Sequence, residues 1–184
     1  KDPFSLNKNK LNHQDRFKES IVNETNIDNV INLFYVFMRD FSSLLKDEIF
    51  RATLVQNLLD QSSKEMDTAD RIQLLFLLQD LKYEVEQEIK REITRLDDVM
   101  EVIEHIQVLS FKRRLLSSIK ENRNDWVTIY TDLLLSNKKH LLRDFLYDEL
   151  TKTESNSQAL NKKIEKLIGD PSSSPNAFIW FVQK

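Results

Sequence analysis

Apolar residues recur along most of the chain at intervals of three and four positions, which is the spacing of an amphipathic α-helix. Between Val30 and Leu45 they cover more than half of a helix surface, and between Trp126 and Leu134 they fall at i, i+3, i+4, i+7 and i+8. Polar breaks of a few residues separate such segments. Because short loops make neighbouring helices pack together, the pattern predicts an all-α fold of successive antiparallel helical hairpins, forming a short irregular α-solenoid or a helical bundle with no β-sheet.

Short polar side chains predict where individual helices begin. Asp67 or Thr68 is expected to cap the helix that carries the apolar run 74–78, and Asn124 or Asp125 the helix that carries Trp126. Beyond the run 74–78, apolar residues recur every four positions on a highly charged background, at Leu81, Val85, Ile89 and Ile93. This spacing predicts that one long helix continues through that stretch.

The polarity of the chain also predicts its organisation into segments. Residues 1–12 are rich in Asn and Lys and are expected to be an irregular lead-in, followed by a single helical domain over residues 13–184. The most linker-like interior stretch is 151–158, where a further boundary would fall. The chain has no initiator methionine and ends on an apolar segment without a capping signal, so we expect both ends to be cuts in a longer polypeptide.

Composition restricts the classes of function. The sequence contains one glycine and no cysteine, which disfavours glycine-rich nucleotide loops and excludes disulfides, thiolate metal sites and cysteine nucleophiles. A net charge of −3 argues against bulk electrostatic attraction to nucleic acid. No apolar run approaches the roughly 18 residues of a membrane span, and the N-terminus has no hydrophobic signal core. We therefore expect a cytoplasmic protein that has no membrane contact.

Catalytic and metal-binding signals are weak. Two histidine–carboxylate pairs have i, i+4 spacing, namely Glu101 with His105 and His140 with Asp144, but each pair supplies only half of a metal or acid–base site. Adjacent acids at Asp97 and Asp98 have the chemistry to hold a magnesium ion, although capping of the next helix is the simpler interpretation. The serines have no identifiable base partner. The sequence predicts no enzyme, no catalytic residue, no metal ligand and no cofactor, and a metal-dependent hydrolase is the weakest alternative.

Two basic clusters form the candidate interaction surface. They comprise Lys112, Arg113, Arg114, Lys120 and Arg123 in the first cluster, and Lys138, Lys139 and Arg143 in the second. Because the predicted hairpins join these helices in sequence, the clusters would share a rim and offer a site to phosphate or to an acidic protein surface. Solvated helix faces are the simpler interpretation. No aromatic residues are interleaved to stack bases, and Trp126 is expected to be a packing anchor.

The C-terminal part of the chain carries a recognisable pattern. It runs from Phe111-Lys112-Arg113-Arg114-Leu115-Leu116 through Asn124-Asp125-Trp126 to Arg143-Asp144-Phe145, and closes on Pro175-Asn176-Ala177-Phe178-Ile179-Trp180-Phe181. This pattern resembles the large helical-repeat region that precedes the transcript-cleavage module in long, extended members of the Gre family of transcription elongation factors. The resemblance covers about the C-terminal two-fifths of the chain well.

The resemblance implies a role in binding or positioning. Gre factors bind bacterial RNA polymerase and stimulate cleavage of the backtracked transcript with acidic residues at the tip of a coiled coil, and no part of this chain matches that tip. The resemblance therefore implies a non-catalytic helical module that contacts RNA polymerase or an associated protein. The alternative suggested by the residues themselves is a nucleic-acid- or phosphate-binding module that uses the two basic clusters.

Overall fold

The apolar periodicity of the sequence produces helices throughout the residues that the structure, a computed structural model, describes, namely 3–40, 42–137 and 141–184. These residues form eleven α-helices and two short 3-10 helices, and no β-strand occurs among them. The predicted all-α fold is confirmed, while the choice between a solenoid and a bundle stays a prediction. By their contacts the residues divide into two compact units, Lys1–Glu92 and Ile93–Lys184.

Four helices and the start of a fifth make up the first unit. They are α1 (Pro3–Asn23), α2 (Ile27–Asp40), α3 (Glu48–Ser62), α4 (Thr68–Asp80) and α5 (Glu86–Arg95), with a 3-10 turn at Ser42–Lys46 between α2 and α3. Helices α1 and α4 each pack against both α2 and α3. The unit is held by fully buried apolar side chains, each worth about 1.5–3 kcal/mol, including Ile21, Val30, Ile31, Leu54, Leu58 and Ile72.

Helix α1 begins earlier than the sequence suggested. Its first residue is Pro3, so residues 3–12, which we expected to be an irregular lead-in, are helical. Proline suits the first position of a helix because the amide hydrogen that it lacks has no partner there in any case. Extending an existing helix adds one hydrogen bond for each residue fixed, whereas starting one is unfavourable, so the predicted helix from residue 13 extends backwards through the polar stretch.

Helix α4 begins where its cap was predicted. The Asp67 carboxylate accepts a hydrogen bond from the amide of Asp70 at 2.8 Å, and the apolar run 74–78 is buried on every side of the helix. Gln73, in the same helix, is 1% exposed, and its side-chain oxygen has no hydrogen-bond partner. The first unit therefore buries residues 72–78 of α4 on every side.

The predicted continuation of α4 into α5 as a single helix is wrong. Lys82 has a φ of 63°, in the left-handed region, and ends α4. The amide of Lys82 donates to the carbonyl of Gln79 and that of Tyr83 to the carbonyl of Leu78, both at 3.0 Å. These two bonds are those of a Schellman motif, which usually has glycine at the left-handed position. The four-residue spacing of apolar side chains continues across the break between α4 and α5. For this reason the spacing alone did not reveal that the helix is interrupted.

Six helices follow α5 in the second unit. They are α6 (Val99–His105), α7 (Leu109–Asn122), α8 (Trp126–Leu135), α9 (Arg143–Thr151), α10 (Glu154–Gly169) and α11 (Pro175–Gln183), with a 3-10 turn at Pro171–Ser173. Helix α8 is central, since α7, α9, α10 and α11 all pack against it. The core side chains come mainly from α7, α8 and α9, and include Leu115, Leu116, Ile119, Tyr130, Leu134, Leu146 and Leu150.

The linker-like stretch 151–158 lies inside this second unit. Helix α9 extends to Thr151, and Thr153 caps α10 by accepting a hydrogen bond from the amide of Asn156 at 3.4 Å. Most of this stretch is therefore helical, and only Lys152 and Thr153 connect the two packed helices. The boundary between the compact units falls instead within α5. Among the described residues, none of the helices has the length and apolarity that crossing a bilayer requires.

Candidate interaction surface

The first three basic residues of the candidate surface lie near the start of α7, on different sides of the helix. Successive helical residues are turned by about 100°, so Lys112, Arg113 and Arg114 cannot share one face. Arg113 is exposed, whereas Lys112 and Arg114 are half-buried. Burial lowers the pKa of Lys112, and the nearby charge of Glu104 partly opposes this effect. Of the three, Arg113 offers its charge most fully to solvent.

Lys120, further along α7, is held by two groups of the second unit. Its ammonium lies 2.6 Å from a carboxylate oxygen of Glu149 and 5.2 Å from the ring centre of Trp126. Glu149 also accepts from Lys152, and its side chain is only 14% exposed. Hydrogen bonds from Lys120 and then Lys152 hold the pKa of Glu149 below its ordinary value. Lys120 therefore ties α7 to α9, and Trp126 is part of that packing, as expected.

Arg123, the residue after α7, is bound on both sides of its guanidinium. Its Nε and Nη2 donate to the two carboxylate oxygens of Asp125 at 2.8 and 2.6 Å, and Nη1 donates to the carbonyl of Leu96. This two-point pairing raises the pKa of Arg123 and lowers that of Asp125. The side chain of Arg123 is 17% exposed. Its geometry serves to fasten the end of α7 to the segment before α6.

Arg143 is buried at the start of α9, where it is 5% exposed. Its Nε donates to the carbonyl of Leu134 at 3.3 Å, and Nη2 to the carbonyl of Ser136 at 2.7 Å, so the guanidinium binds the C-terminal end of α8. Burial lowers its pKa. The remaining predicted members of this cluster, Lys138 and Lys139, and the neighbouring His140, lie outside the described residues. The shared basic rim therefore stays a prediction.

The acidic and histidine candidates have local structural contacts. Asp98 caps α6 by accepting from the amide of Glu101 at 2.8 Å, as its simpler interpretation predicted. Nδ1 of His105 lies 2.9 Å from the main-chain oxygen of Glu101, at the position of a local helix contact. Asp144 pairs with Lys184. Within the described ranges, no three His, Cys, Asp or Glu side chains converge as a metal site would require.

A cleft of about 300 Å³ opens between α6 and α8, and its floor contains the apolar residues Val99 and Leu133. Two of the acids on its rim are already paired. Asp125 binds Arg123, and Asp132 lies 3.1 Å from the ammonium of Lys163. The cleft therefore has little uncompensated charge with which to select a ligand.

A second group of residues, which the basic clusters did not include, lies where α9 meets α11. The rings of Tyr147, Trp180 and Phe181 meet edge to face with centroids 4.8–6.2 Å apart. The ammonium of Lys184 lies 2.6 Å from Asp144, 5.4 Å from the ring centre of Trp180 and 5.7 Å from that of Tyr147. The spacing of Asp144 and Tyr147, i and i+3 on a helix, is the signal that the sequence offered for this group.

The outer side of α11 is apolar and reaches solvent. Ile179 is 52% exposed and Val182 is 70% exposed, while Trp180 is half-buried on the side that faces α9. Trp180 therefore lies at the edge of the core.

Comparison with known proteins locates the chain in a family. Residues 13–184 match the family described as the GreA-associated C-terminal domain. The chain is 26% identical over 187 residues to transcription elongation factor GreA of Chlamydia pneumoniae, and 28% identical over 185 residues to transcription elongation factor GreA of Chlamydia trachomatis serovar D. The two alignments cover 100% and 98% of this chain but 26% of each relative, so the chain spans about a quarter of their length.

No solved structure matches the chain. The resemblance to Gre-type factors, which the residues supported best over the C-terminal two-fifths, is confirmed and extends over almost the whole sequence. A family match over residues 13–184 is long enough to settle membership: the chain belongs to the GreA-associated C-terminal domain family.

Proposed function

We propose that this chain is a non-catalytic interaction module of a Gre-related elongation factor and that it contacts RNA polymerase or a protein bound to it. The observation that carries the proposal is the family match over residues 13–184, together with two relatives that are both named transcription elongation factor GreA. A factor that acts on elongation must reach the transcribing polymerase, and a helical appendage supplies surface for that contact.

The arrangement of the basic side chains supports a protein partner over nucleic acid. Nucleic-acid binding relies on several cations that are free to neutralise phosphates. Three of the eight candidate residues are engaged within the second unit: Lys120 binds Glu149, Arg123 binds Asp125, and the buried Arg143 binds carbonyl groups. The residues that we propose to contact a partner are Arg113, which is the most exposed of the three basic residues near the start of α7, and Arg114, Lys138 and Lys139, which are retained from the sequence analysis.

Charge reversal tests this surface. Immobilised core RNA polymerase would be incubated with the chain and with the variants Arg113→Glu/Arg114→Glu and Lys138→Glu/Lys139→Glu. Because a reversed charge at an interface repels what the original charge attracted, we expect each double variant to bind about tenfold more weakly. The matched control is Lys162→Glu/Lys166→Glu, a double reversal at exposed positions of α10, which should bind as the unaltered chain does.

The same assay separates the two functional classes. Retention of the unaltered chain by polymerase at physiological salt, with loss in the α7 variant, supports the protein-interaction role. If the chain instead binds RNA or DNA alone, and this binding falls steeply with salt and is abolished by the α7 and 138–139 variants, the nucleic-acid module is the correct function.

A further inference from the structure

The ammonium of Lys184 occupies a site built for a cation. It makes an ion pair of 2.6 Å with Asp144 and lies 5.4 and 5.7 Å from the ring centres of Trp180 and Tyr147. Distances of up to about 6 Å from an aromatic ring centre are those at which the electron-rich ring face attracts a cation. Asp144 and, less directly, Asp148 and Tyr147 raise the pKa of Lys184.

The walls of this site are positioned by packing. Asp144, Tyr147 and Asp148 stand at i, i+3 and i+4 of α9, so they lie on one side of that helix. Trp180, on α11, meets the ring of Tyr147 at 66° with 5.7 Å between centroids. Both rings also touch Phe181. The aromatic wedge is therefore held by contacts among its three rings in addition to the contacts with Lys184.

The site of Lys120 has a similar arrangement that is less exposed to solvent. Lys120 also lies between a carboxylate and a tryptophan ring, but Glu149 is 14% exposed and accepts from two lysines. At the other site the Asp144 side chain is 70% exposed and Lys184 is 40% exposed. Among the residues that the structure describes, Asp144 and Asp148 both act electrostatically on Lys184. The first arrangement fastens helices together, whereas the second is open to a cation that arrives from solvent.

We propose that Asp144, Tyr147, Asp148 and Trp180 bind a Lys or Arg side chain of a partner protein, and that Lys184 fills this site until the partner displaces it. The proposal rests on the proposed interaction role and adds the chemistry of the contact. Aromatic faces and a carboxylate attract both a guanidinium and an ammonium, and the flat guanidinium can also stack on a ring. Because Lys184 is exposed, its own contacts with the site are weak. Competition from Lys184 therefore lowers the affinity for an incoming cation by only a few-fold, and the partner can displace it.

A peptide titration followed by nuclear magnetic resonance tests the site. The indole N–H of Trp180, assigned by its loss in Trp180→Phe, would be followed in the 15N-labelled 184-residue chain. The probes are the capped tripeptides Gly-Arg-Gly and Gly-Lys-Gly, with Gly-Gln-Gly as the uncharged control. In Lys184→Gln the basic peptides should shift this signal with a Kd about two- to fivefold lower than in the unaltered chain.

Removal of the acids supplies the decisive comparison. Asp144→Asn should abolish the response to the basic peptides, and Asp148→Asn should weaken it, while spectral dispersion reports that both exposed-site variants remain folded. Equal responses to the basic and uncharged peptides, or no difference among the unaltered chain, Lys184→Gln and Asp144→Asn, would overturn the proposal.

The titration contains no polymerase, so its outcome does not depend on whether the proposed function is correct. If the chain does not bind polymerase but the peptides behave as expected, the site stands and the named partner is wrong. If polymerase is retained but the peptides bind without regard to charge, only the cation site is overturned.

Discussion

Lys82 shows how a single residue decides where two helices separate. It adopts a φ of 63°, a conformation in which the Cβ of an L-residue approaches the following carbonyl oxygen at a cost of about 1–2 kcal/mol. The Schellman bonds to Gln79 and Leu78 compensate for this strain. A sequence search for glycine or proline would miss the turn, since 81–85 contains neither.

Replacing Lys82 by glycine should stabilise the chain. Glycine reaches the left-handed region without strain, and after allowance for its greater freedom in the unfolded state the free energy of unfolding should rise by about 0.5–1 kcal/mol. Urea denaturation followed by circular dichroism measures this. Lys82→Ala, which removes the charge but keeps Cβ, is the matched control and should change stability little. Equal gains in both variants would show that the charge of Lys82, rather than its backbone, is unfavourable.

Tyr130 is a second residue whose side chain is fixed by its surroundings. Its hydroxyl is buried and donates to the carbonyl of Leu116 at 2.7 Å. Tyr130→Phe should therefore lower the free energy of unfolding by about 1 kcal/mol at neutral pH. Burial, together with the charges of Glu149 and Glu121, raises the pKa of Tyr130 above its ordinary value of 10.

The raised pKa makes the effect of this hydroxyl depend on pH. Below pH 10 the tyrosine is neutral in both folded and unfolded chains, so its contribution is complete. Above pH 10 the unfolded chain ionises first, and stability is lost as pH rises. Denaturation at pH 8, 10 and 11 should show a steeper loss in the unaltered chain than in Tyr130→Phe. Parallel curves would contradict the burial of this hydroxyl.

At the scale of helices, α7 and α9 are joined through Glu149. This carboxylate accepts from Lys120 on α7 and from Lys152 just after α9, and its pKa is lowered by both. A lowered pKa means that the stabilisation is complete above the ordinary value of about 4.5 and is lost as pH falls below it.

The substitution Glu149→Gln should show that the stabilisation by Glu149 depends on pH. We expect it to lower the free energy of unfolding by about 1–2 kcal/mol at pH 7, after allowance for the partial exposure of Lys120. The difference from the unaltered chain should shrink as the pH falls from 7 to 3.5, because the unfolded chain takes up a proton at residue 149 more readily than the folded chain does. Chemical denaturation at both pH values measures it, with Glu165→Gln on the exposed face of α10 as the control. A difference that is the same at both pH values would mean that the glutamine disturbs packing instead.

Helix positions could be predicted from the sequence more successfully than the site. The Asp67 and Asp98 caps follow from local chemistry that acts over three residues, and the apolar faces follow from helical periodicity. Arg143 could not be predicted in this way, because an arginine that binds buried carbonyls and one that faces solvent look identical in sequence. The grouping of Asp144 with Trp180 depends on how α9 and α11 meet, which no local pattern encodes.

At the scale of the whole molecule, the division into two compact units could not be predicted from the local sequence either. Their boundary at residues 92 and 93 lies within α5, so no polar linker marks it, whereas the most linker-like stretch connects two packed helices. The family match nevertheless covers both units from residue 13 onwards. The module on which the proposed function rests is therefore the whole of that range.

Direct binding to polymerase tests the central proposal. The fluorescently labelled chain would be titrated with bacterial core RNA polymerase at 0.15 M salt, and anisotropy recorded. We predict saturable binding, competition by unlabelled chain, weaker binding by Arg113→Glu/Arg114→Glu, and no change in Lys162→Glu/Lys166→Glu. A chain that remains unbound at polymerase concentrations of about 10 μM, well above those at which specific partners associate, would contradict the proposal that it contacts polymerase itself.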